Sequence, residues 1–388
     1  MNVFHKFIIF FFLSFFYSYI NSQNKIDQNE FVLDGTIDKV NTGYIVLSYS
    51  DFDNNIRQDS CKVINGKFLF KGKVKGAAIS NLHYIPNSYF SFPDDITLFL
   101  EKNLMSINIS KDFVLREVHG SNAQNDWTKI NSSATYIKKE SLWRIINEMD
   151  PENVDYERNR NRLDSINKEQ IIYDYKFTIN NPSSFISPYL LALRFERKEI
   201  SIDSIETVFK KLTPAVKKSS FGEDLKDKII MRKSSAVGQK AYDFERTDIN
   251  GTLLKLSSFK DKKYVLLDFS ASWCRPCKEQ LPKLKQLFER YHKNDLEIIV
   301  VSWDLDEQSW KKGVLRDEIN NWYNILDSLN PKNNGLKKIY SVSDIPTLIL
   351  IDKEGIIIGR YDNNTSNFAV NNLESELENI FVSKKINR

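Results

Sequence analysis

The sequence predicts an α/β C-terminal domain, a central mixed sheet flanked by helices at residues 236–388, preceded by a small antiparallel β domain at 29–120 and a helical segment at 121–235. Three observations carry that reading. From Phe31 to about Val118, short runs of alternating apolar residues are broken by Gly and Asn, the mark of antiparallel strands. The text then turns charged and Gly-poor with helical spacing, and after Ser234-Ser235 strand-like and helix-like stretches alternate.

Within the β domain the clearest hairpin runs through Cys61-Lys62-Val63-Ile64, turns at Asn65-Gly66 and returns as Lys67-Phe68-Leu69-Phe70. Asn-Gly tolerates the positive φ of a two-residue turn. In the helical segment Trp143, Ile146 and Met149, and later Tyr189, Leu190, Leu193 and Phe195, recur at helical spacing, with breaks at Asp150-Pro151 and Asn181-Pro182. Its charge run from Glu157 to Arg162 reads as a solvated helix face.

In the C-terminal domain Asn250-Gly251 suggests a hairpin, and Tyr264 to Phe269 reads as a buried strand leading into Trp273-Cys274-Arg275-Pro276-Cys277. Leu281, Leu284, Leu287, Phe288 and Tyr291 then recur at helical spacing, so the cysteine pair opens an amphipathic helix. Strands follow at Leu296 to Trp303 and at Thr347 to Ile351. The second turns at Lys353-Glu354-Gly355 into Ile356-Ile357-Ile358, and Leu373, Leu377, Ile380 and Phe381 stripe a last helix. Trp303, Trp310 and Trp322 read as packing residues.

A length of 388 residues allows two or three compact units. With 55 Lys and Arg against 51 Asp and Glu the chain is nearly charge-balanced, and no long basic block interleaved with aromatics supports nucleic-acid binding. At the start, His5-Lys6 precedes an uncharged run from Phe7 to Ile20, the order of a secretory signal peptide at residues 1–22 with cleavage after Ser22. The run is shorter than the roughly 20 apolar residues of a membrane helix. An uncleaved signal anchor is the alternative, and either way the body is expected to be exported, with a periplasmic location or a membrane tether.

Three cysteines are few for an exported chain built on structural disulfides. Cys61 lies far from the other two and reads as a small core residue rather than a reactive thiol. Cys274 and Cys277 carry the chemistry. A thiol is a good nucleophile as a thiolate, and a helix N-terminus offers partial positive charge and free N–H groups to hold one. A spacing of three brings both sulfurs to one side of the first turn, so the pair can cycle between dithiol and disulfide. Pro276 suits the first turn, where its missing N–H is not needed, and Arg275 adds a cation nearby, so Cys274 is expected to have a lowered pKa. Half of a zinc site is the other reading of a CxxC, but it needs two more ligands, and after residue 22 only His83, His119 and His292 remain among histidines. No cofactor is expected.

Val265 to Phe269, Trp273-Cys274-Arg275-Pro276-Cys277-Lys278 and Asp344-Ile345-Pro346-Thr347 together resemble the thioredoxin superfamily. Phe244 ahead of Asn250-Gly251, Leu256 to Phe259, and Val301-Ser302-Trp303-Asp304 are similar to its exported TlpA/ResA-like branch. Gly35, Asn65 to Phe68 and Gly120-Ser121-Asn122 look similar to the N-terminal region of Bacteroidetes oxidoreductases of this type, a resemblance that carries no known chemistry. The resemblance implies a thioredoxin-like fold in which Cys274 is the exposed attacking thiol and Cys277 the buried resolving one. Trp273 would flank the pair. Pro346 would follow a cis peptide bond and face the cysteines, beside a backbone edge for a substrate strand. Asp268, six residues before Cys274, would be the buried acid exchanging protons with Cys277, its pKa raised by burial. Pro282 resembles a helix-kinking proline.

Two departures stand out. Gln280 occupies a position where that branch usually has an acid, and Ser270 one where an aromatic is common. Gln280 cannot titrate, so proton handling would fall on Asp268, Glu279 being poorly placed to reach in. The implied activity is thiol-disulfide exchange, reducing disulfides of exported proteins, apocytochrome c among the candidates, with electrons from a membrane thiol-disulfide transporter. Disulfide oxidation or isomerisation, a peroxiredoxin-like peroxidase and a redox-regulated binding protein are the rival readings. Arg275 stabilising the thiolate would push the pair toward the oxidising side.

Overall fold

The computed structural model describes residues 29–86, 96–110, 116–327, 335–362 and 369–386; the signal-like stretch 1–22 lies outside them. The chain packs as two compact units, one of residues up to Arg194 with Thr207–Leu225, the other of Phe195–Glu206 with Lys226–Arg388.

The first unit begins with eight strands: β1 (Glu30–Ile37), β2 (Tyr44–Ser50), β3 (Ile56–Lys62), β4 (Lys67–Lys73), β5 (Ala77–Ile85), β6 (Ile96–Glu101), β7 (Leu104–Ile109) and β8 (Arg116–His119). They form two four-stranded sheets, ordered β4-β1-β7-β8 and β3-β2-β5-β6. Alternate residues Phe31, Leu33 and Ile37 of β1, and Ile45, Leu47 and Tyr49 of β2, fill the core of this unit, as the period of two requires. Gly35 admits the Phe68 ring across the β1–β4 pair, since a Cβ there would lie 1.9 Å from Phe68 Cζ. The antiparallel domain is present, with one pairing, β1 with β7, parallel.

The Asn65-Gly66 turn forms, with φ of 51° and 75° and reciprocal bonds between Ile64 and Lys67. Its arms diverge: β3 pairs with β2 and β4 with β1, so the turn joins two sheets instead of closing a long hairpin. Cys61 is half-buried against the core, in keeping with a packing role.

The helices α1 (Asn122–Asn131), α2 (Ala134–Glu148), α3 (Tyr156–Asn180), α4 (Ile186–Glu196), α5 (Ile202–Lys211), α6 (Pro214–Lys217) and α7 (Ser220–Ser234) follow. In α2, Leu142 and Ile146 face inward while Trp143 is 49% exposed, so the apolar stripe is shifted one residue from the expected one. The run Glu157 to Arg162 is exposed apart from Asn159. Arg194 and Asp174 form a buried ion pair, to which Tyr136 donates a hydrogen bond of 2.9 Å.

In the second unit β9 (Glu245–Thr247) and β10 (Leu253–Lys255) make the hairpin expected at Asn250-Gly251. The main sheet has five strands, β11 (Tyr264–Ser270), β12 (Leu296–Ser302), β13 (Tyr323–Leu326), β14 (Thr347–Ile351) and β15 (Ile357–Asp362), in the order β13-β12-β11-β14-β15. β11, β12 and β13 run parallel, and β14 and β15 join antiparallel. Both faces are buried, so β11, β12 and β14 read as nearly continuous apolar runs. One face carries Leu266, Ile298, Val300, Leu348 and Leu350 against α8 (Arg275–Tyr291), α9 (Glu307–Arg316) and α11 (Ala369–Ile386). The other carries Val265, Leu267, Phe269, Ile299 and Val301 under the β9–β10 hairpin and α10 (Leu336–Ile339).

Candidate active site

The parallel pair β11–β12 ends at Ser270 and Ser302, which are register partners. The loops leaving these two C-terminal ends therefore emerge side by side, the position where α/β sheets build their sites. The loop after β11 turns through Ala271 to Trp273, with the Cys274 N–H donating to the Ala271 carbonyl at 3.0 Å, and delivers Cys274 as the N-cap of α8.

Cys274 and Cys277 are joined as a disulfide, with an S–S distance of 2.02 Å and 5.3 Å between Cα atoms. The Cys277 N–H donates to the Cys274 sulfur at 3.2 Å, so the sulfur takes the place that a Ser or Asp oxygen takes in an ordinary N-cap. Pro276 stands in the first turn, where no intrahelical donor is needed. Inside the helix, Pro282 removes the N–H that the carbonyl of Lys278 would otherwise receive.

In this disulfide state Cys274 and Cys277 are equally enclosed, at 4% and 5% exposure, which differs from the expected exposed Cys274. The sulfurs cover each other, and Ala271, Trp303 and Ile345 pack around them. Trp273, by contrast, is 61% exposed. The Arg275 guanidinium pairs with Glu279 at 3.0 Å in full view of solvent, so screening limits what it adds at the sulfur. The same pair turns Glu279 away from the buried side of the helix.

The Ile345-Pro346 bond is cis. Because Thr347 pairs with Phe269, the Pro346 turn sits at the edge of the sheet from which the cysteine loop leaves, and Ile345 touches the disulfide cluster. Asp268 lies on β11 between Val300 and Leu348, on the face covered by α8. It is 4% exposed, and burial pushes its carboxyl up to about 7. Among the described residues its Oδ1 and the Gln280 Nε2, one turn beyond Cys277, are buried atoms without a hydrogen-bond partner.

Trp303 packs as expected, and part of that packing is against the disulfide, while its indole ring receives the Lys337 ammonium at 5.0 Å from the centroid. Ser272 and Asp304 also meet at the site, joined by a 2.6 Å hydrogen bond. The sequence signal for both was their place just past the ends of adjacent strands.

Residues 261–357 match a family described as thioredoxin-like, and residues 31–127 match a domain of unknown function, DUF4369. The thiol-disulfide oxidoreductase ResA of Bacillus thuringiensis subsp. konkukian is 32% identical over 122 residues, 31% of this chain and 67% of that protein. The thioredoxin-like protein YneN of Bacillus subtilis is 30% identical over 120 residues, 31% of this chain and 68% of that protein. Among solved structures, the thioredoxin domain of a thiol-disulfide oxidoreductase from Bacteroides vulgatus is 27% identical, with a TM-score of 0.33, covering 37% of this chain and 97% of that one. With the bonded cysteine pair heading α8 and the sheet beneath it, the relatives identify this chain as a member of the thioredoxin-like thiol-disulfide oxidoreductases.

Proposed function

We propose that the protein reduces disulfides of exported proteins through Cys274 and Cys277. The observation that carries this is the bonded pair at a helix N-terminus with the Cys277 N–H aimed at the Cys274 sulfur. In the reduced enzyme the Cys274 thiolate attacks one sulfur of a substrate disulfide. That S–S bond breaks, and the second substrate sulfur leaves as a thiolate with the electron pair. Cys277, deprotonated, then attacks the Cys274 sulfur and expels the first substrate sulfur, so two electrons have passed and the Cys274–Cys277 disulfide remains.

Asp268 is the base that takes the Cys277 proton, and a carboxyl near 7 is half ionised where the reaction runs. Ile345, which packs against the pair, brings the cis Pro346 turn to this end of the sheet, where Pro346 would border the docking edge, and Trp273 offers an exposed apolar contact next to Cys274. The reducing direction is supported by Arg275, whose exposed pairing with Glu279 weakens its hold on a thiolate. Residues 236–388 form the exchange module, 29–120 and 121–235 precede it, and residues 1–22 direct export to the periplasm or remain as a tether. No helix among the described residues is long and apolar enough to cross a membrane. The oxidised pair is recharged by an electron donor, a membrane thiol-disulfide transporter.

The test is the equilibrium reduction potential of the pair in glutathione buffers. A value near the thioredoxin end, about −270 mV, is expected. One near the DsbA end, about −120 mV, would make the protein an oxidant. Absence of a reversible couple overturns the reading.

A further inference from the structure

We propose that Asp304 is a positioning residue that fixes the Cys274 loop through Ser272, a role that rests on the exchange reading above. Asp304 lies two residues past β12 and is 4% exposed. Its carboxylate accepts the Ser272 hydroxyl at 2.6 Å, the Ser272 N–H at 3.2 and 3.3 Å, and the Ser302 hydroxyl at 2.7 Å. Its own N–H donates to the Ser302 hydroxyl at 3.1 Å, which fixes the carboxylate in turn.

Ser272 is held from two further sides. The Arg316 Nη2 donates to its carbonyl at 3.0 Å. Gly313 of α9 presses close enough that a Cβ there would lie 2.6 Å from the Ser272 Cβ. Thus the N–H, hydroxyl, carbonyl and Cβ of one residue are all constrained, by Asp304 in the loop after β12 and by Gly313 and Arg316 of α9. Ser272 sits inside the turn closed by the Cys274 N–H on the Ala271 carbonyl. Whatever moves Ser272 moves Cys274 relative to the Cys277 N–H, and a short hydrogen-bonded contact weakens steeply with misalignment.

None of these groups takes part in the sulfur chemistry; they act through the geometry of the N-cap. Two perturbations of different nature should therefore have one effect. Asp304→Ala removes the hydrogen bonds, and Gly313→Ala pushes Ser272 sterically. Asp304→Asn keeps an acceptor oxygen and should restore part of the function.

The experiment uses the full chain. The pair is reduced, Cys274 alkylation by iodoacetamide is titrated against pH, and insulin reduction is followed with dithiothreitol as electron source. For Asp304→Ala and Gly313→Ala the expected result is a titration midpoint about one pH unit higher, and kcat lower by about tenfold with KM changed less than about twofold. Asp304→Asn should fall between these and the wild type. A general loss of stability would reduce the folded fraction but leave the midpoint in place. Unchanged midpoints and kcat in folded variants overturn the proposal. If Asp304→Ala does not fold, Gly313→Ala and Ser272→Ala carry the same test. Should the wild type reduce no disulfide, the exchange reading falls, while the alkylation titration still decides whether the clamp acts on Cys274.

Discussion

The backbone N–H of Cys277 donates to the sulfur of Cys274 across 3.2 Å, so the helix presents a donor to the atom that becomes negative when the disulfide opens. Together with the partial positive charge of the α8 N-terminus, this favours thiolate over thiol. After reduction, Cys274 should alkylate with a midpoint at least about one pH unit below the value near 8.5 of a free cysteine. Cys274→Ser should abolish insulin reduction, and Cys277→Ser should accumulate a mixed disulfide with substrate, seen by mass spectrometry. An ordinary midpoint in the wild type would refute the role given to the helix.

Asp268 yields a prediction on rate. With its carboxyl at about 7 from burial, release of the mixed disulfide should accelerate as pH rises through that value. Asp268→Asn should slow this step by about 10²-fold at neutral pH and flatten its pH profile. Stopped-flow measurement of mixed-disulfide decay reads it directly, and an unchanged profile would remove Asp268 from the mechanism.

The same group yields a prediction on stability. Its folded pKa lies above the unfolded value of 3.8, so the native state binds the extra proton between about 4 and 7. The contribution is fully present below the unfolded pKa and is lost as pH rises through the folded one. Relative to Asp268→Asn, the wild type should therefore lose about 4 kcal/mol between pH 3 and pH 8, because each pH unit separating the folded and unfolded values is worth on the order of 1.4 kcal/mol. Urea melts of both proteins across that range measure the difference.

What the sequence made legible was local. The strand at Tyr264 to Phe269, the cysteines three apart and the stripe Leu284, Leu287, Phe288 each follow from neighbours within one element, and all three stand where expected. The Asn65-Gly66 turn was equally legible, because positive φ is a property of those two residues. Which sheet each arm joins is decided by distant strands, β2 and β1, and the local pattern does not contain it. Ser272 and Asp304 meet only because β11 and β12 pair in register, 32 residues apart in the chain. The burial of Cys274 had no local signal either, since Trp303, just past β12, and Ile345, just before β14, cover it from distant parts of the chain.

Asp174 and Arg194 were hidden for a different reason: in a charge-rich helical stretch each reads as one more solvated residue. They are 0% and 3% exposed, with the Arg194 Nε 3.0 Å from Asp174 Oδ2. Burial pushes the Asp174 carboxyl upward, opposed by the Arg194 charge. Arg194→Met would leave that carboxylate without its cation and should cost about 3–5 kcal/mol. Replacing both partners with apolar residues should cost much less, because no uncompensated charge is then buried. A double-mutant cycle by urea unfolding, additive within error, would contradict this.

A last prediction concerns the approach to Pro346. The Arg360 guanidinium donates to the Tyr340 and Ser341 carbonyls, both at 2.8 Å, and its Nε lies 3.1 Å from the Asp362 carboxylate. Burial lowers its pKa to about 10, still far enough above neutrality to keep the charge. Lys198 then bridges Asp362, at 3.4 Å, to Asp344, at 2.8 Å, two residues before Pro346. The segment from Tyr340 to Asp344 is thus fastened at both ends, by a buried cation and by a partly exposed one. Arg360→Met should destabilise the protein by about 3 kcal/mol, since two carbonyls lose their donors and a carboxylate its nearest cation. Lys198→Met should cost about 1 kcal/mol or less, as expected for a partly solvated pair. Its effect on catalysis should be the larger of its two effects. Freed at Asp344, the Pro346 turn should hold substrate less well, raising KM several-fold with little change in kcat. Equal losses in both kinetic constants would mean that Lys198 supports the fold and not the docking edge.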